Sequence, residues 1–322
     1  MQPQFLERAL QLAAEAGGRA HPKPTVGAVV VSTDGTVAGE GATEPGPAGR
    51  HGERVALDAA GESARAGTLY VTMEPCAHSG STPPCVDAAL GAGIALVVAG
   101  QLDPNPNVEG GGLEKLRAAG VEVELAGGEL GFRCRSQLEA WRTWVVKRRP
   151  FVTYKVALTV DGRATVPGSR WVSGEESRRL VHELRAASDA VAVGMGTVRW
   201  DSPRLDARDV PTSRGQPRRL AFGRGPLPGG SELELRSGPL AGELESLAED
   251  CVQSLLLEGG PTLAAAFLEQ DLVDKVLVFV APGMSGDGPG MLSGLADPVQ
   301  LTRLAATQIG DDILLSAYVH EP

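Results

Sequence analysis

Short apolar runs alternate with amphipathic helical patterns along the first half of the chain, and this alternation constrains the fold more than any other feature. Residues 3–16 carry helical spacing, Val26–Val31 reads as a buried strand, and Val55–Ala60 belongs to a helix. Leu69–Met73 reads as a strand, Pro84–Ala92 as a helix and Ile94–Ala99 as a strand. Gly112–Ala119 and Val121–Leu125 repeat the pair. Strands alternating with helices predict a layered α/β sheet. A helix from Glu129 to about Trp144 closes this half. Pro150 stops it, because the residue before a proline is pushed out of helical geometry.

The second half restarts with the strand Phe151–Leu158 and the turn signal Asp161-Gly162. Glu175–Ala187 reads as a helix opened by Ser173, with Glu176 three residues on at capping-box spacing. Asp189–Gly194, Arg219–Phe222, Ser254–Glu258, Lys275–Val280 and Ile313–Val319 read as strands, and Pro261–Gln270 as a helix. Residues 205–245, rich in Gly, Pro and Arg, are expected to hold long loops. At roughly 100–200 residues per domain, 322 residues make two domains, 1–147 and 148–322.

Net charge is −10, and the largest basic cluster is Lys147-Arg148-Arg149. A nucleic-acid binder needs a basic face, so DNA and RNA are excluded as main partners. No run approaches the ~18 apolar residues of a membrane span, and Met1–Leu10 lacks a basic segment followed by an apolar one. The expectation is a soluble, cytoplasmic protein with no membrane partner. Cysteines 76, 85, 134 and 251 are too few and scattered for a disulfide framework, so metal binding or burial is expected. Cys134 and Cys251 read as small buried hydrophobes.

Metal binding has specific candidates. His51, Cys76 and Cys85 supply one imidazole and two thiolates, the three-ligand count of a catalytic zinc site that leaves its fourth position to water. Glu53, two residues after the histidine, can sit beside the metal without ligating it. There it would take a proton from water and deliver it to a leaving amine. The two cysteines fall near helix N-termini, which favour thiolate. A purely structural zinc site would want four closed ligands and no carboxylate. His78 reads as a surface or pocket residue. In the second half, Glu258-Gly259-Gly260-Pro261-Thr262 joins a buried strand to a helix start, a turn that can receive a phosphate on free N–H groups or simply be tight. Gly194-x-Gly196 is not a dinucleotide fingerprint, because Arg199 stands where the third glycine belongs.

The order His-x-Glu, strand, Glu-Pro-Cys is that of the zinc nucleobase deaminases. Five stretches carry a closer resemblance, to the bifunctional deaminase/reductase family of riboflavin biosynthesis. They are Pro22-Lys23-Pro24-Thr25-Val26-Gly27, His51-Gly52-Glu53, Thr72-Met73-Glu74-Pro75-Cys76-Ala77-His78, Thr82-Pro83-Pro84-Cys85 and Asp103-Pro104-Asn105-Pro106. The second half joins in through Lys155-x-Ala157, Asp161-Gly162, Ser169-x-Trp171, Arg185, Gly194-x-Gly196-Thr197-Val198, Asp201-x-Pro203-x-Leu205-x-x-Arg208 and Glu258–Thr262.

The resemblance implies a cytidine-deaminase-like three-layer domain with one zinc ion, followed by a dihydrofolate-reductase-like α/β domain that uses NADPH. It implies hydrolytic deamination of 2,5-diamino-6-(5-phosphoribosylamino)pyrimidin-4-one, then reduction of the ribosyl chain to give 5-amino-6-(5-phosphoribitylamino)uracil. The cofactor contacts implied are Ala157, Trp171, Thr197, Asp201, Gly260, Pro261, Thr262, Leu263, Ala264, Ala265 and Ala266. The substrate contacts implied are Ser169, Arg185, Leu205, Arg208 and Glu258, with Arg185 and Arg208 clamping a phosphate. A homo-oligomer, dimer or tetramer, is expected from a free sheet edge.

Departures from the family gather around the deaminase pocket. Lys23 stands where asparagine is usual, Gly52 for alanine, Ala42 for histidine and Ser81 for lysine. Lys23 either partly replaces the charge lost at Ser81 or is simply solvated, and Gly52 is expected to cost helix stability of about 1 kcal/mol unless the first turn tolerates it. Gly223-Arg224 stands where Asp-Ser is usual, a change that either alters how the cofactor phosphate is held or is confined to a surface loop. These changes leave open an active reductase beside a weakened or substrate-shifted deaminase. A non-catalytic zinc module is the remaining alternative.

Overall fold

The computed structural model describes residues 1–46, 48–78, 83–106, 111–212 and 214–322. Met1–Lys147 with Pro322 form one compact unit and Arg148–Glu321 a second.

The first unit comprises α1 (Pro3–Ala16), β1 (Gly27–Val31), β2 (Val37–Ala42), α2 (Gly52–Ala60), β3 (Thr68–Val71), α3 (Cys85–Gly91), β4 (Leu96–Ala99), α4 (Gly112–Ala118), β5 (Glu122–Leu125), α5 (Gly128–Gln137) and α6 (Glu139–Lys147). Its sheet runs β2-β1-β3-β4-β5, with β1 antiparallel to both neighbours and β3, β4 and β5 parallel. All five residues of β1 are buried because both sheet faces are covered. Val29 and Val31 pack with Leu6, Ala9 and Leu10 of α1, whereas Ala28 and Val30 pack with Ala56 and Leu57 of α2. The strand's period of two thus feeds two cores in a three-layer sandwich.

Backbone approaches are close on both faces. A Cβ on Gly27 would lie 1.9 Å from the Ala9 carbonyl oxygen, and one on Gly52 would lie 2.4 Å from that of Val26. Gly52 is therefore a packing requirement of this chain, not simply a weakened helix start. The single helix expected from Glu129 to Trp144 is two, broken at Leu138, whose N–H turns back to the Arg135 carbonyl. Strand β2 was not legible beforehand, since Val-Ala-Gly-Glu-Gly-Ala carries almost no apolar alternation.

The second unit comprises β6 (Phe151–Thr159), α7 (Glu175–Ala187), β7 (Ala190–Gly194), α8 (Met195–Asp201), β8 (Arg218–Phe222), β9 (Glu234–Arg236), α9 (Leu240–Glu249), β10 (Ser254–Leu257), α10 (Pro261–Glu269), β11 (Lys275–Ala281), β12 (Thr302–Ile309) and β13 (Asp312–Tyr318). The sheet order is β12-β13-β11-β6-β10-β7-β8-β9, parallel from β11 to β9 and closed by the antiparallel β13 and β12. Leu244 and Leu247 of α9 and Phe267 of α10 cover one face; Met195 and Val198 of α8, with Leu184 of α7, pack on the other. A buried ion pair anchors β6: Arg149 donates to both oxygens of Asp274 at 2.6 and 2.8 Å, and the Val152 N–H donates to the same carboxylate at 2.9 Å.

Two expectations fail here. Helix α7 is capped by Gly174 without a side-chain cap, and the Asp312 carboxylate accepts the Gly174 N–H at 2.8 Å. Ser173 precedes the cap instead of forming it, and a distant carboxylate holds the cap residue's own N–H. Cys134 is buried, but Cys251 is exposed, in a left-handed turn after α9. Within 205–245 the expected strand is β8, and the stretch also holds β9 and the start of α9 among its loops.

Candidate active sites

In the first unit, His51 precedes α2 as its N-cap and Cys85 opens α3, so two helix starts aim their side chains at one point. The Nδ1 atom of His51 lies 3.5 Å from the Cys76 sulfur and 3.3 Å from the Cys85 sulfur, and all three donors fall within 4.8 Å of one another. Zn–S of about 2.3 Å and Zn–N of about 2.0–2.1 Å in a tetrahedron put neighbouring S and N donors about 3.5 Å apart, so this donor set fits zinc. Its electrostatics agree. The Cys85 thiol and backbone N–H, with His51, pull Cys76 down to about 4, whereas hydrogen bonding to Cys76 and burial push Cys85 up. One thiolate forms readily and the second needs a cation.

Glu53 is 3% exposed, and burial lifts its carboxyl to about 7 against the opposing pull of His51. It shares with His51 and Cys76 a cavity of about 350 Å³. Trp141, Trp144 and Val145 of α6 make an apolar wall there; Lys23, His78, Asp103 and Asn105 supply polar edges. Sequence reasoning missed that wall, although the Trp-x-x-Trp spacing on a helix was visible. It also missed Glu74, whose buried carboxylate accepts the Asp103 N–H at 3.0 Å and the Leu113 N–H at 2.9 Å, tying the cysteine loop to the cavity rim. Lys23 faces the cavity and donates to the Gly49 carbonyl at 2.9 Å; burial lowers its pKa. Ala42 does not line the cavity, and Ser81 lies outside the described residues.

The second unit holds two adjoining cavities. The smaller, about 340 Å³, is lined by Ala157, Trp171, Arg185, Leu205, Arg208 and Glu258. The larger cleft, about 1010 Å³, is lined by Ser169, Thr262, Leu263 and Ala266. Thr197, Asp201, Gly260 and Pro261 belong to both. Ala157 and Trp171 therefore stand on the smaller cavity's side, and Ser169 on the cleft's side. Ala264 and Ala265 do not reach the cleft. Their side chains are core, and the Ala264 N–H already serves the Gly260 carbonyl.

Helix α10 has Pro261 in its first turn and no side-chain cap, so the N–H groups at its start face the cleft unpaired by any side chain. A dinucleotide's phosphates fit such a start, and the cleft volume suits NADPH.

Arg185 is not a free phosphate clamp. It donates to Glu258 at 2.6 and 3.0 Å and to the Asp206 carbonyl at 3.2 Å. Lys155, missed as a site residue, lies 3.7 Å from the same carboxylate. Burial pulls the Lys155 pKa down. Burial works to raise that of Glu258, but Lys155 and Arg185 hold it below the usual range. Arg170 and Arg178 flank the half-exposed Trp171 ring at 5.0 and 5.4 Å, giving this cavity a cationic rim.

Asp161 latches the loop that walls the cleft. The Thr159 hydroxyl and the N–H groups of Ser285 and Gly286 hold its carboxyl down to about 2. A carboxylate depressed below its ordinary value near 4 stabilises the latch above about pH 4 and loses that contribution as pH falls towards about 2. Protection of the Ser285 and Gly286 amides, measured against their intrinsic exchange rates, is expected to fall through that window in the parent. In Asp161→Asn that protection should be low at every pH; a parental profile in the variant would rule the latch out.

Residues 1–101 match the cytidine and deoxycytidylate deaminase zinc-binding region, and residues 150–226 and 238–315 match the RibD C-terminal domain. Over 97% of this chain and 96% of the relative, the sequence is 37% identical to riboflavin biosynthesis protein RibD of Aquifex aeolicus. Acinetobacter baumannii RibD superposes with a TM-score of 0.84 at 31% identity, covering 98% of both chains. The Thermotoga maritima diaminohydroxyphosphoribosylaminopyrimidine deaminase/5-amino-6-(5-phosphoribosylamino)uracil reductase gives 0.82 at 34%, again over 98% of both. With a zinc-type donor set in one unit, a dinucleotide-sized cleft in the other and relatives matched end to end, the chain belongs to the RibD family of bifunctional riboflavin biosynthesis enzymes.

Proposed function

We propose that the first unit deaminates a diaminohydroxyphosphoribosylaminopyrimidine and that the second reduces the ribosyl chain of the product to a ribityl chain. The observation that carries this reading is the meeting of His51, Cys76 and Cys85 beside the buried Glu53, at one wall of a ring-sized cavity. Zinc, held by those three residues, supplies the Lewis acidity that makes water a nucleophile near neutral pH. Glu53 takes the proton of the attacking water and passes it to the departing amine, so the ring exchanges an amino group for an oxygen and ammonia leaves. Trp141 and Trp144 hold the flat ring and exclude water. Burial raises the Glu53 carboxyl to about 7 while His51 pulls the other way, which keeps it able to accept and return a proton.

In the second unit NADPH supplies the hydride when bound. The cationic cavity of Lys155, Arg170, Arg178 and Arg208 takes the phosphorylated substrate, Arg185, Leu205 and Glu258 shape its walls, and Ser169 reaches the substrate from the adjoining cleft. Thr197, Asp201, Gly260 and Pro261 stand where cofactor and substrate meet. Thr262, Leu263 and Ala266 line the cofactor's side; Ala157 and Trp171 face it across the junction.

No observation favours a silent deaminase half. We also propose a cytoplasmic homo-oligomer, with a second copy on the β12 edge. None of the first seven residues of that strand is buried, and Leu304 is 69% exposed. No helix among the described residues is long and apolar enough to cross a membrane.

Two measurements test the deaminase reading. A chelator is expected to abolish ammonia release and to leave NADPH-dependent reduction of the deaminated intermediate intact; equal loss of both would contradict it. Lys23→Ala is expected to raise KM for deamination several-fold with kcat unchanged, as loss of a phosphate contact would. An unchanged KM would reduce Lys23 to a strut for the Gly49 loop.

A further inference from the structure

The segment Asp206–Arg208 lies between two strained residues. Leu205 and Asp209 both take left-handed backbone angles, with φ of 55° and 58°, where an L side chain crowds its own peptide. Among the described residues, no backbone–backbone hydrogen bond reaches Asp206, Ala207 or Arg208. Side chains hold them instead. The Gln216 amide accepts the Ala207 N–H and donates to the Ala207 carbonyl, both at 2.8 Å. Arg185 Nη1 donates to the Asp206 carbonyl at 3.2 Å. That leaves the Arg208 N–H, and the atom that meets it is Nδ1 of His182, at 3.2 Å.

This nitrogen has two neighbours with opposite demands. The Asp206 carbonyl oxygen, also at 3.2 Å, would accept a proton from it, whereas the Arg208 N–H requires it to be bare. The carbonyl already has a donor in Arg185, and the N–H has no other acceptor among the described residues. A bare Nδ1 therefore leaves both groups satisfied, and the ring proton belongs on Nε2. The surrounding charges agree. Arg185 lies on α7 with the histidine, Asp206 and Arg208 on the segment, and Glu258 just past β10. Burial and the two arginines lower the imidazole's pKa against the pull of Asp206, which keeps the ring neutral.

His182 lines the smaller cavity beside Arg208. Since Arg185 is committed to Glu258, Arg208 is the member of the expected phosphate clamp that remains for the substrate. Its guanidinium leans on Asp206, with Nε 3.4 Å from Oδ1, while Arg204 takes Oδ2 at 2.8 Å. How far it reaches into the cavity is set by where the segment holds its backbone.

We propose that His182 is a positioning residue for reduction: as the Nε2-protonated imidazole it accepts the Arg208 N–H and fixes the segment that carries Arg208 to the substrate. This rests on the reading that the cavity takes the phosphorylated substrate, and adds to it the residue that keeps its arginine in place.

The test is steady-state reduction of the deaminated intermediate by the full chain with NADPH saturating, each variant being checked for the parent's Tm. Asparagine and glutamine separate the two ring nitrogens. The Asn carbonyl oxygen falls near the place of Nδ1, and the Gln amide nitrogen near that of Nε2. His182→Leu is expected to raise KM for the intermediate about fivefold, the worth of one hydrogen bond, with kcat within about twofold of the parent's. His182→Asn should recover most of that loss and His182→Gln little of it. In an Arg208→Ala background, His182→Leu should add less than about twofold, because the histidine acts through the arginine. The nitrogen-15 signals of the His182 ring in the parent should show a bare Nδ1 and a protonated Nε2. A parental KM in His182→Leu, rescue by glutamine in place of asparagine, or the whole effect persisting without Arg208 overturns the inference and leaves the cavity reading standing. A protonated Nδ1 in the parent overturns it without any variant. A parental KM in Arg208→Ala overturns the cavity reading and this inference with it.

Discussion

Glu53→Gln is expected to lower ammonia release about 10²–10⁴-fold, the usual worth of a positioned proton carrier. The variant should keep its zinc, because the carboxyl is not among the three converging donors, and glutamine fills nearly the same volume. Its fold should hold as well, since the buried carboxyl it replaces is itself held near neutral by burial. NADPH oxidation with the deaminated intermediate should match the parent. A variant that keeps more than a tenth of the parent's deaminase rate would mean that another group, or water alone, carries the proton.

The second large effect concerns stability of the reductase unit. Glu258 balances two cations, Arg185 and Lys155, with side chains only 10–14% exposed. Glu258→Ala leaves both without their anion. Stranding a buried charge in this way costs about 3–5 kcal/mol, which for a unit this size lowers Tm by roughly 10 °C. Lys155→Met is the informative contrast. It leaves Glu258 paired with Arg185, so Tm should fall much less, while reduction slows because the cavity loses the buried amine that faces the substrate. Calorimetry on the two variants separates the effects. Similar Tm values for both would show that the Arg185–Glu258 pair does not anchor the unit.

Strong local patterns were readable from the chain: β1, β3, β4, β7 and β10 are runs of Val, Leu and Ala that only a doubly covered sheet can bury. Elements that draw their stability from distant partners were not. Strand β2 is one-third glycine because α2 lies against it, and β12 is exposed along nearly its whole length. The N–H of Gly174, which starts α7, is held by Asp312, 138 residues away. The same division holds at the sites. The zinc donors and Glu53 sit in compact motifs and were legible. The tryptophan wall, the Glu74 tie and the Lys155–Glu258–Arg185 group arise from packing between elements. Arg185 illustrates the limit, since a guanidinium matched to phosphate is, in this fold, already matched to a carboxylate.

In the proposed function one chain carries two independent centres acting in order, deamination before reduction. The most direct measurement follows ammonia release and NADPH oxidation together from the diaminopyrimidine substrate, with NADPH present and withheld. The expected result is ammonia release that proceeds without NADPH, and, when NADPH is present, one NADPH oxidised per ammonia after a lag. NADPH oxidation that starts before ammonia appears, or ammonia release that requires NADPH, would contradict it.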